Sequence, residues 1–186
     1  MSKIVRIAFT GHRPQDMYGY DENRAENVMI KRWLLSTVLK IAQKYPNAHF
    51  IAGGALGVDT WGAEAVLEAK KRFPDVKLEI AIPCLNQESR WNQENKMRYR
   101  MILNQADIVT YVSDKPYNYH CMQDRNKYMV DNAHVIIAVW SGKQRGGTYN
   151  CLRYANQVGR TILMLNPLDF TVQKIKKRNQ IGSFFL

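Results

Sequence analysis

Short apolar runs rich in isoleucine and valine alternate along this chain with segments whose apolar residues recur at helical spacing. Six of the runs predict β-strands, at residues 4–9, 49–52, 77–82, 108–112, 135–140 and 161–165. The runs are continuous rather than alternating in polarity, which is typical of strands covered on both faces. Between them, Tyr99, Ile102, Leu103 and Ala106 show the i, i+3, i+4, i+7 pattern of an amphipathic helix.

This alternation of strands and helices predicts βαβ units and therefore a mainly parallel sheet. The expected fold class is α/β, a Rossmann-like three-layer αβα sandwich with about six strands. The length of 186 residues suits one domain, so we expect a single domain over residues 1–186 with a basic C-terminal segment at 167–186. In an open parallel sheet, ligands bind beyond the carboxyl ends of the strands, where the strand order reverses. The loops after the strands are therefore the candidate site.

Charge and cysteine content narrow the class of protein. Lysine and arginine total 27 against 16 acidic residues, a net charge of +11, and such a surface attracts anions of many kinds. The densest basic run, residues 174–178, is interpreted as a solvated helix or tail. Three cysteines without a CxxC pair favour neither a disulfide framework nor a zinc site, so we predict no metal and no cofactor. With no visible signal peptide and no apolar run beyond six residues, we expect a cytoplasmic protein without a membrane partner.

The loop after the first strand reads TGHRP at residues 10–14. Gly11 allows a tight turn and the close approach of a ligand to the backbone. Arg13 can bind a phosphate or carboxylate through two parallel hydrogen bonds, and His12 can donate a hydrogen bond or act as an acid or base. The alternative is an ordinary strand-to-helix turn with an arginine on the surface.

The loop after the second strand reads GGALGVD at residues 53–59 and leads into a helix predicted to begin near Thr60. Backbone amides of a glycine-rich loop, together with the positive end of a helix dipole, form an anion site. The ligand-binding candidates here are Gly53, Gly54, Ala55, Gly57 and Asp59. Asp59 has two interpretations, as the cap of the helix or as a partner of a ribose hydroxyl. The motif matches neither GxGxxG nor a Walker sequence.

The loop after the fifth strand reads SGKQRGGT at residues 141–148 and precedes another helical pattern. Its ligand-binding candidates are Ser141, Gly146, Gly147 and Thr148. With two cations, two hydroxyls and three glycines, this loop can hold a second phosphate. The alternative is a flexible basic loop in which Thr148 caps the helix.

The helix before the fifth strand places polar residues on an apolar face. Arg125 and Asn126 share that face with Met122 and Met129. Because burying an arginine is costly without partners, Arg125 and Asn126 either face a ligand or bind neighbouring carbonyl groups. Trp91, near the start of another helix, is interpreted as core packing rather than as a stacking surface for a base.

Several segments, taken in order, carry a family resemblance. They are residues 10–14, 53–59, 91, 98–99, 106–107, 125–131 and 146–148. In this set the chain resembles the YpsA-like branch of the SLOG superfamily, over nearly its whole length. That superfamily also groups the DNA-processing protein DprA and the cytokinin-activating LOG enzymes.

The resemblance implies a Rossmannoid fold with a pocket for nucleotides or nucleotide-derived ligands, and ADP-ribose-like signals are the ligands that it suggests first. It assigns ligand-binding roles to the residues on matching motif positions, which are Gly11, Arg13, Gly53, Gly54, Gly57, Asp59, Gly146, Gly147 and Thr148. LOG-type hydrolases carry a glutamate shortly after the glycine–threonine turn, but residues 148–153 of this chain contain no carboxylate. Because a carboxylate normally stabilises the transition state of N-glycosidic cleavage, a hydrolase would depend on one from another segment. Asp59, Glu64 and Asp131 are the candidates.

Three functions follow, in order of preference. The first is binding of a nucleotide or nucleotide-derived ligand, ADP-ribose-like favoured, by a sensor or sequestering protein. The second is a LOG-like N-glycosidase, and the third is single-stranded nucleic-acid binding as in DprA. The charge of +11 supports the third, although interleaved aromatic and cationic residues, the usual single-strand platform, are not evident in the sequence. SLOG relatives often form dimers, so the resemblance also allows a homo-oligomer of this chain.

Overall fold

The structure is a computed structural model that describes residues 4–118 and 120–176. In chain order, the strands are β1 Arg6–Gly11, β2 His49–Ala52, β3 Lys77–Ile82, β4 Ile108–Tyr111, β5 Val135–Val139, β6 Thr161–Leu165 and β7 Val172–Ile175. The helices are α1 Ala25–Lys44, α2 Val58–Lys70, α3 Gln93–Gln105, α4 Cys121–Asp131 and α5 Gly146–Gln157, and a short 3-10 turn lies at Pro14–Asp16. None of the helices in these described ranges is long and apolar enough to cross a membrane.

The strands form one sheet in the order β4-β3-β2-β1-β5-β6-β7. Strands β1 to β6 are parallel, and β7 runs antiparallel to β6. The central strand β1 pairs with β2 and β5, so that Ala8 lies between Ile51 and Ile136. The chain adds strands in one direction from β1 to β4 and in the other from β5 to β7. The strand order therefore reverses between β1 and β5, at the place where parallel sheets bind ligands.

Helices cover both faces of the sheet. Successive residues of a strand point to opposite faces, so they pack against different helices. Ile7 and Phe9 pack with residues of α1, α2 and α3, whereas Ala8 packs with residues of α4 and α5. Along α1, Ile30 and Leu34 are fully buried one helical turn apart. Each such side chain contributes about 2 kcal/mol by leaving water. The α/β class and the three-layer arrangement predicted from the sequence are confirmed.

The largest difference from the predicted elements is the seventh strand. Strand β7 lies in the basic C-terminal segment, where Lys174 pairs with Leu163 and Ile175 is buried. The interpretation of this run as a solvated helix or tail is therefore wrong for its first part, and its later residues, Lys177 and Arg178, lie outside the described residues. A four-residue edge strand with only two apolar positions gives too short a pattern to be identified.

Candidate functional site

A cavity of about 430 Å³ opens at the carboxyl ends of β1, β2 and β5, where the strand order reverses. All three predicted loops and helix α4 contribute to its wall. The predicted residues that line it are Gly11, His12, Arg13, Ala55, Asp59, Arg125, Asn126, Gly146, Gly147 and Thr148. We call this space the anion cavity. The geometric expectation from the sequence, that residues distant along the chain meet at one rim of the sheet, is met.

Four other predicted residues lie beside the anion cavity rather than in its wall: Gly53, Gly54, Gly57 and Ser141. A Cβ atom at Gly53 would lie 1.4 Å from Nη1 of Arg125, so the absent side chain leaves the space that the guanidinium occupies. Gly57 has φ +87°, and a Cβ there would lie 2.9 Å from the carbonyl oxygen of His12. The missing side chains at Gly53 and Gly57 therefore allow Arg125 and the loop at His12 to lie close to the backbone of residues 53–57.

Arg125 and Asp59 form a buried ion pair at the base of the anion cavity. Arg125 is 6% exposed and Asp59 is 8% exposed, and Nη1 of Arg125 lies 3.3 Å from Oδ2 of Asp59. The backbone N–H of Ala55 donates a second, 3.4 Å hydrogen bond to the same oxygen. Burial raises the pKa of Asp59, and the charge of Arg125 opposes that rise.

The guanidinium of Arg125 is only partly satisfied. An arginine carries five N–H donors, and the buried Nε of Arg125 has no hydrogen-bond partner within the described part of the chain. Its Nη1 makes one long contact to Asp59. A buried donor without a partner is costly, and Arg125 is at the same time one of the residues that line the anion cavity.

His12 joins the loops that follow β1 and β5. Its Nε2 accepts a 3.1 Å hydrogen bond from the backbone N–H of Ser141 and lies 2.9 Å from the Ser141 hydroxyl. Burial lowers the pKa of His12, so the imidazole is neutral at pH 7. Because Nε2 accepts the hydrogen bond from the Ser141 N–H, the ring hydrogen lies on Nδ1. Ser141 thus contributes indirectly, by holding His12 against the anion cavity.

Helix α5 begins at the mouth of the anion cavity. Its first residue, Gly146, has φ +89°, and the residue before it, Arg145, provides no side-chain cap. The first N–H groups of a helix have no partner within the helix and attract anions. Thr148 is the third residue of α5, and Asp59 is the second residue of α2 after Gly57 at the N-cap. The alternative in which Thr148 or Asp59 caps its helix is therefore wrong.

The charge of the anion cavity is positive. Four cations, Arg13, Arg125, Lys143 and Arg145, line it against two carboxylates, Asp16 and Asp59. Lys143 lies 3.2 Å from Asp16, whereas Arg13 and Arg145 are exposed and form no salt bridge with another described residue. No group of histidine, cysteine and acidic side chains suited to a metal ion occurs in the described ranges. The cavity is therefore suited to an anion.

The other two candidate carboxylates lie elsewhere. Glu64, in α2, accepts a hydrogen bond from Arg98 of α3, with Oε2 2.6 Å from Nη2 of Arg98. Asp131, at the end of α4, accepts a 2.8 Å hydrogen bond from the Tyr154 hydroxyl. Neither lines the anion cavity. Lys143 and Arg145, which the sequence shows only as cations of the third loop, do line it.

Solved structures similar in fold come from DNA-processing proteins. The chain matches DprA from Streptococcus pneumoniae with a TM-score of 0.60 and 18% identity, over 88% of this chain and 50% of that one. It matches DprA from Helicobacter pylori, described for its single-stranded DNA binding mode, with a TM-score of 0.60 and 19% identity, over 87% of this chain and 65% of that one. The chain thus spans between half and two thirds of those proteins, and the likeness concerns the fold.

Sequence comparison gives closer relatives. The SPbeta prophage-derived protein YoqJ of Bacillus subtilis is 35% identical over 157 residues, which cover 77% of this chain and 91% of YoqJ. A UPF0398 protein of Brevibacillus brevis is 30% identical over 144 residues, covering 77% of this chain and 76% of the relative. The family model for YpsA, described as the YspA SLOG family, matches residues 7–169. Because that match covers most of the chain, the protein belongs to the YpsA family of SLOG domains.

Proposed function

We propose that this protein binds a nucleotide-derived small molecule in the anion cavity, with ADP-ribose-like ligands favoured. The observation that carries the proposal is the convergence of three loops, the N-terminus of α5 and the partly satisfied Arg125 on one cavity. Its volume of about 430 Å³ lies within the range of small-molecule sites. Membership of the SLOG family agrees with this proposal.

In this proposal each part of the wall has a separate task. The free N–H groups at Gly146 and Gly147 bind phosphate oxygens, and Arg13 and Arg145 neutralise their charge from the rim. Arg125 donates hydrogen bonds from the base of the cavity, and Asp59 holds it in place. Glycine at position 53 leaves the space that this arrangement requires.

The N-glycosidase alternative now depends on a single carboxylate. With Glu64 and Asp131 outside the anion cavity, Asp59 is the remaining candidate of the three. Burial raises the pKa of Asp59, which is the direction of shift that a general acid requires. Incubation with nucleoside monophosphates tests this, because a hydrolase releases free base and a binding protein does not.

A second candidate function is binding of single-stranded nucleic acid. The structural likeness to the DprA of H. pylori, whose binding of single-stranded DNA is described, favours it, together with the net charge of +11. Such binding weakens steeply with salt, because each phosphate contact releases counterions. Titration of an oligothymidylate at several salt concentrations measures this dependence.

The test of the first proposal is ligand-induced stabilisation. A ligand that binds only the folded state raises the melting temperature, so ADP-ribose or a related dinucleotide should raise the Tm of the wild-type chain. The same ligand should leave the Tm of Arg125→Gln unchanged. A broad panel of nucleotides that shifts neither protein would overturn the proposal.

A further inference from the structure

A second cavity of about 480 Å³ adjoins the anion cavity. The two share Arg13, Ala55, Leu56 and Met122 as lining residues. They are therefore neighbouring parts of one groove that runs from the start of α5 toward the loop before α3. We call the second part the aromatic chamber.

The aromatic chamber differs from the anion cavity in chemistry. Three aromatic rings line it, those of Tyr20, Trp91 and Tyr117. Tyr20 is 61% exposed and Tyr117 is 66% exposed, so large parts of both rings are accessible. The amide side chains of Asn86 and Gln87 lie in the same wall, and the described residues that line the chamber include no carboxylate.

The rings are carried by anchored segments. The Tyr20 hydroxyl donates a 3.0 Å hydrogen bond to Gln15. Two residues after Tyr20, Glu22 accepts hydrogen bonds from Arg98, from Lys31 and from Nε1 of Trp61. These contacts hold the segment against α1, α2 and α3. An aromatic residue on an anchored segment loses little conformational entropy when a ligand binds.

The other two rings are similarly placed. Trp91 packs edge-to-face on Tyr99 with the ring centroids 5.4 Å apart, which agrees with its interpretation as a packing residue while one side of it still lines the chamber. Tyr117 follows Pro116, which forms a backbone bridge with Leu85. The rings therefore come from three separate loops whose positions are fixed by the fold.

We propose that the aromatic chamber binds the heterocyclic base of the ligand whose phosphate occupies the anion cavity. This inference rests on the proposed function and deepens it by assigning the base of that ligand to a site of its own beside the phosphate site. Every base has a planar face that stacks on aromatic side chains, and the amide of Asn86 supplies a donor and an acceptor for its edge. The Nε2 of Gln87 already donates to Tyr99 and Gly54, which leaves its Oε1 as an acceptor. A nucleoside phosphate combines the two chemistries that the groove presents side by side.

Calorimetry with three probes tests the inference. ADP-ribose carries base and phosphates, ribose 5-phosphate lacks the base, and pyrophosphate lacks both base and sugar. The variant is the double substitution Tyr20→Ala and Tyr117→Ala, which removes exposed rings. The control is Tyr111→Ala, a tyrosine that is 54% exposed on β4 and lines neither cavity.

We expect the double variant to bind ADP-ribose about 10-fold or more weakly than the wild type, because stacking on an aromatic ring is lost. Its affinity for pyrophosphate should be unchanged, and Tyr111→Ala should match the wild type with all probes. Equal affinity of the double variant and the wild type for ADP-ribose would contradict the assignment of the base to the aromatic chamber and leave the proposed function intact. Failure of all three probes to bind the wild type would overturn both. An oligothymidylate that binds more tightly than ADP-ribose, and that the double variant loses, would assign the rings to a nucleic-acid strand instead.

Discussion

Arg98 and Arg125 both lie against carboxylates, but their guanidinium groups differ in how fully they are bonded. Arg98 donates to Glu64 from Nε and Nη2, at 2.5 and 2.6 Å, and to Glu22 from Nη1 and Nη2. Arg125 makes a single 3.3 Å contact to Asp59, and its buried Nε is unpartnered among the described residues. Arg98 fastens the segment before α1 to α2 and α3. Arg125 lines the anion cavity and keeps this donor without a partner in the described ranges.

The carboxylates beside the two arginines differ in the same way. Burial opposes the ionisation of Glu22, but hydrogen bonds from Arg98, Trp61 and Lys31 outweigh it and lower the pKa of Glu22 to about 2. Burial raises the pKa of Asp59, and Arg125 only partly opposes it. The cluster around Glu22 is fully hydrogen-bonded and stabilises the fold, whereas the Arg125–Asp59 pair leaves a buried donor unpartnered among the described residues. The proposed function assigns the ligand to this second pair.

The largest effect should come from exchanging each arginine for glutamine. Arg125→Gln should weaken ADP-ribose binding by on the order of 100-fold, because charge-assisted hydrogen bonds to the ligand are lost. Arg98→Gln should weaken binding only slightly, through the loosened Tyr20 segment, but lower the free energy of unfolding by about 1–2 kcal/mol, because Glu64 loses its ion-pair partner and Glu22 keeps only Lys31 and Trp61. Calorimetry and urea unfolding of both variants measure the two effects. A loss of affinity of similar size in both variants would contradict the comparison.

A smaller effect should follow from displacing Arg125 without changing it. In Gly53→Ala the new methyl group occupies the space of the guanidinium, so affinity should fall on the order of 30-fold as the donors move. The control Gly159→Ala lies at the end of α5, where φ is +73°. It should cost about 1 kcal/mol of stability through backbone strain while ligand affinity stays at the wild-type value. Unchanged binding by Gly53→Ala would show that the position of Arg125 is not required.

The pH dependence of the free energy of unfolding should isolate the contribution of Glu22, which Arg98, Lys31 and Trp61 surround. The folded pKa of Glu22, about 2, lies below its usual value of 4.5, so its contribution is present above pH 4.5 and is lost as the pH falls toward 2. The free energy of unfolding of the wild type should exceed that of Glu22→Gln by about 2 kcal/mol at pH 7, after allowance for the partial exposure of Glu22. Urea unfolding from pH 7 to pH 2 should show that difference shrink toward zero. A difference independent of pH would contradict the assignment.

The smallest effect should come from the exposed rim of the anion cavity. Arg145→Ala should weaken ADP-ribose binding about 3-fold at low salt, because an exposed charge acts through water and is screened. Adding salt should reduce the difference from wild type. Arg32→Ala, an exposed arginine on α1 that does not line the anion cavity, should bind as the wild type does. An Arg145 effect that persists in high salt would indicate a buried contact instead.

The general position of the site could be predicted from the sequence because it depends on local patterns. Strands at residues 49–52, 77–82 and 161–165 have the predicted bounds, and the rule for parallel sheets places their loops at one edge. The helix starts are less accurate. Gly57, with φ +87°, turns the chain so that α2 begins at Val58, before the predicted Thr60.

The bonding within the site could not be predicted, because it depends on packing between distant segments. Nothing local relates Gly53 to Arg125, yet one leaves the space that the other occupies. The rings of Tyr20, Trp91 and Tyr117 are too far apart in sequence to form a recognisable single-strand motif, although the fold brings them to one chamber.

The contact between residues 53 and 125 has a consequence for sequence variation in the family. The φ angle of Gly53 lies outside the left-handed region, so its backbone does not itself require glycine. The requirement comes from the long side chain at position 125. We expect the two positions to vary together among relatives, so that alanine or serine becomes acceptable at position 53 where a shorter residue replaces the arginine. Under the proposed function, such a relative would bind a ligand of different chemistry.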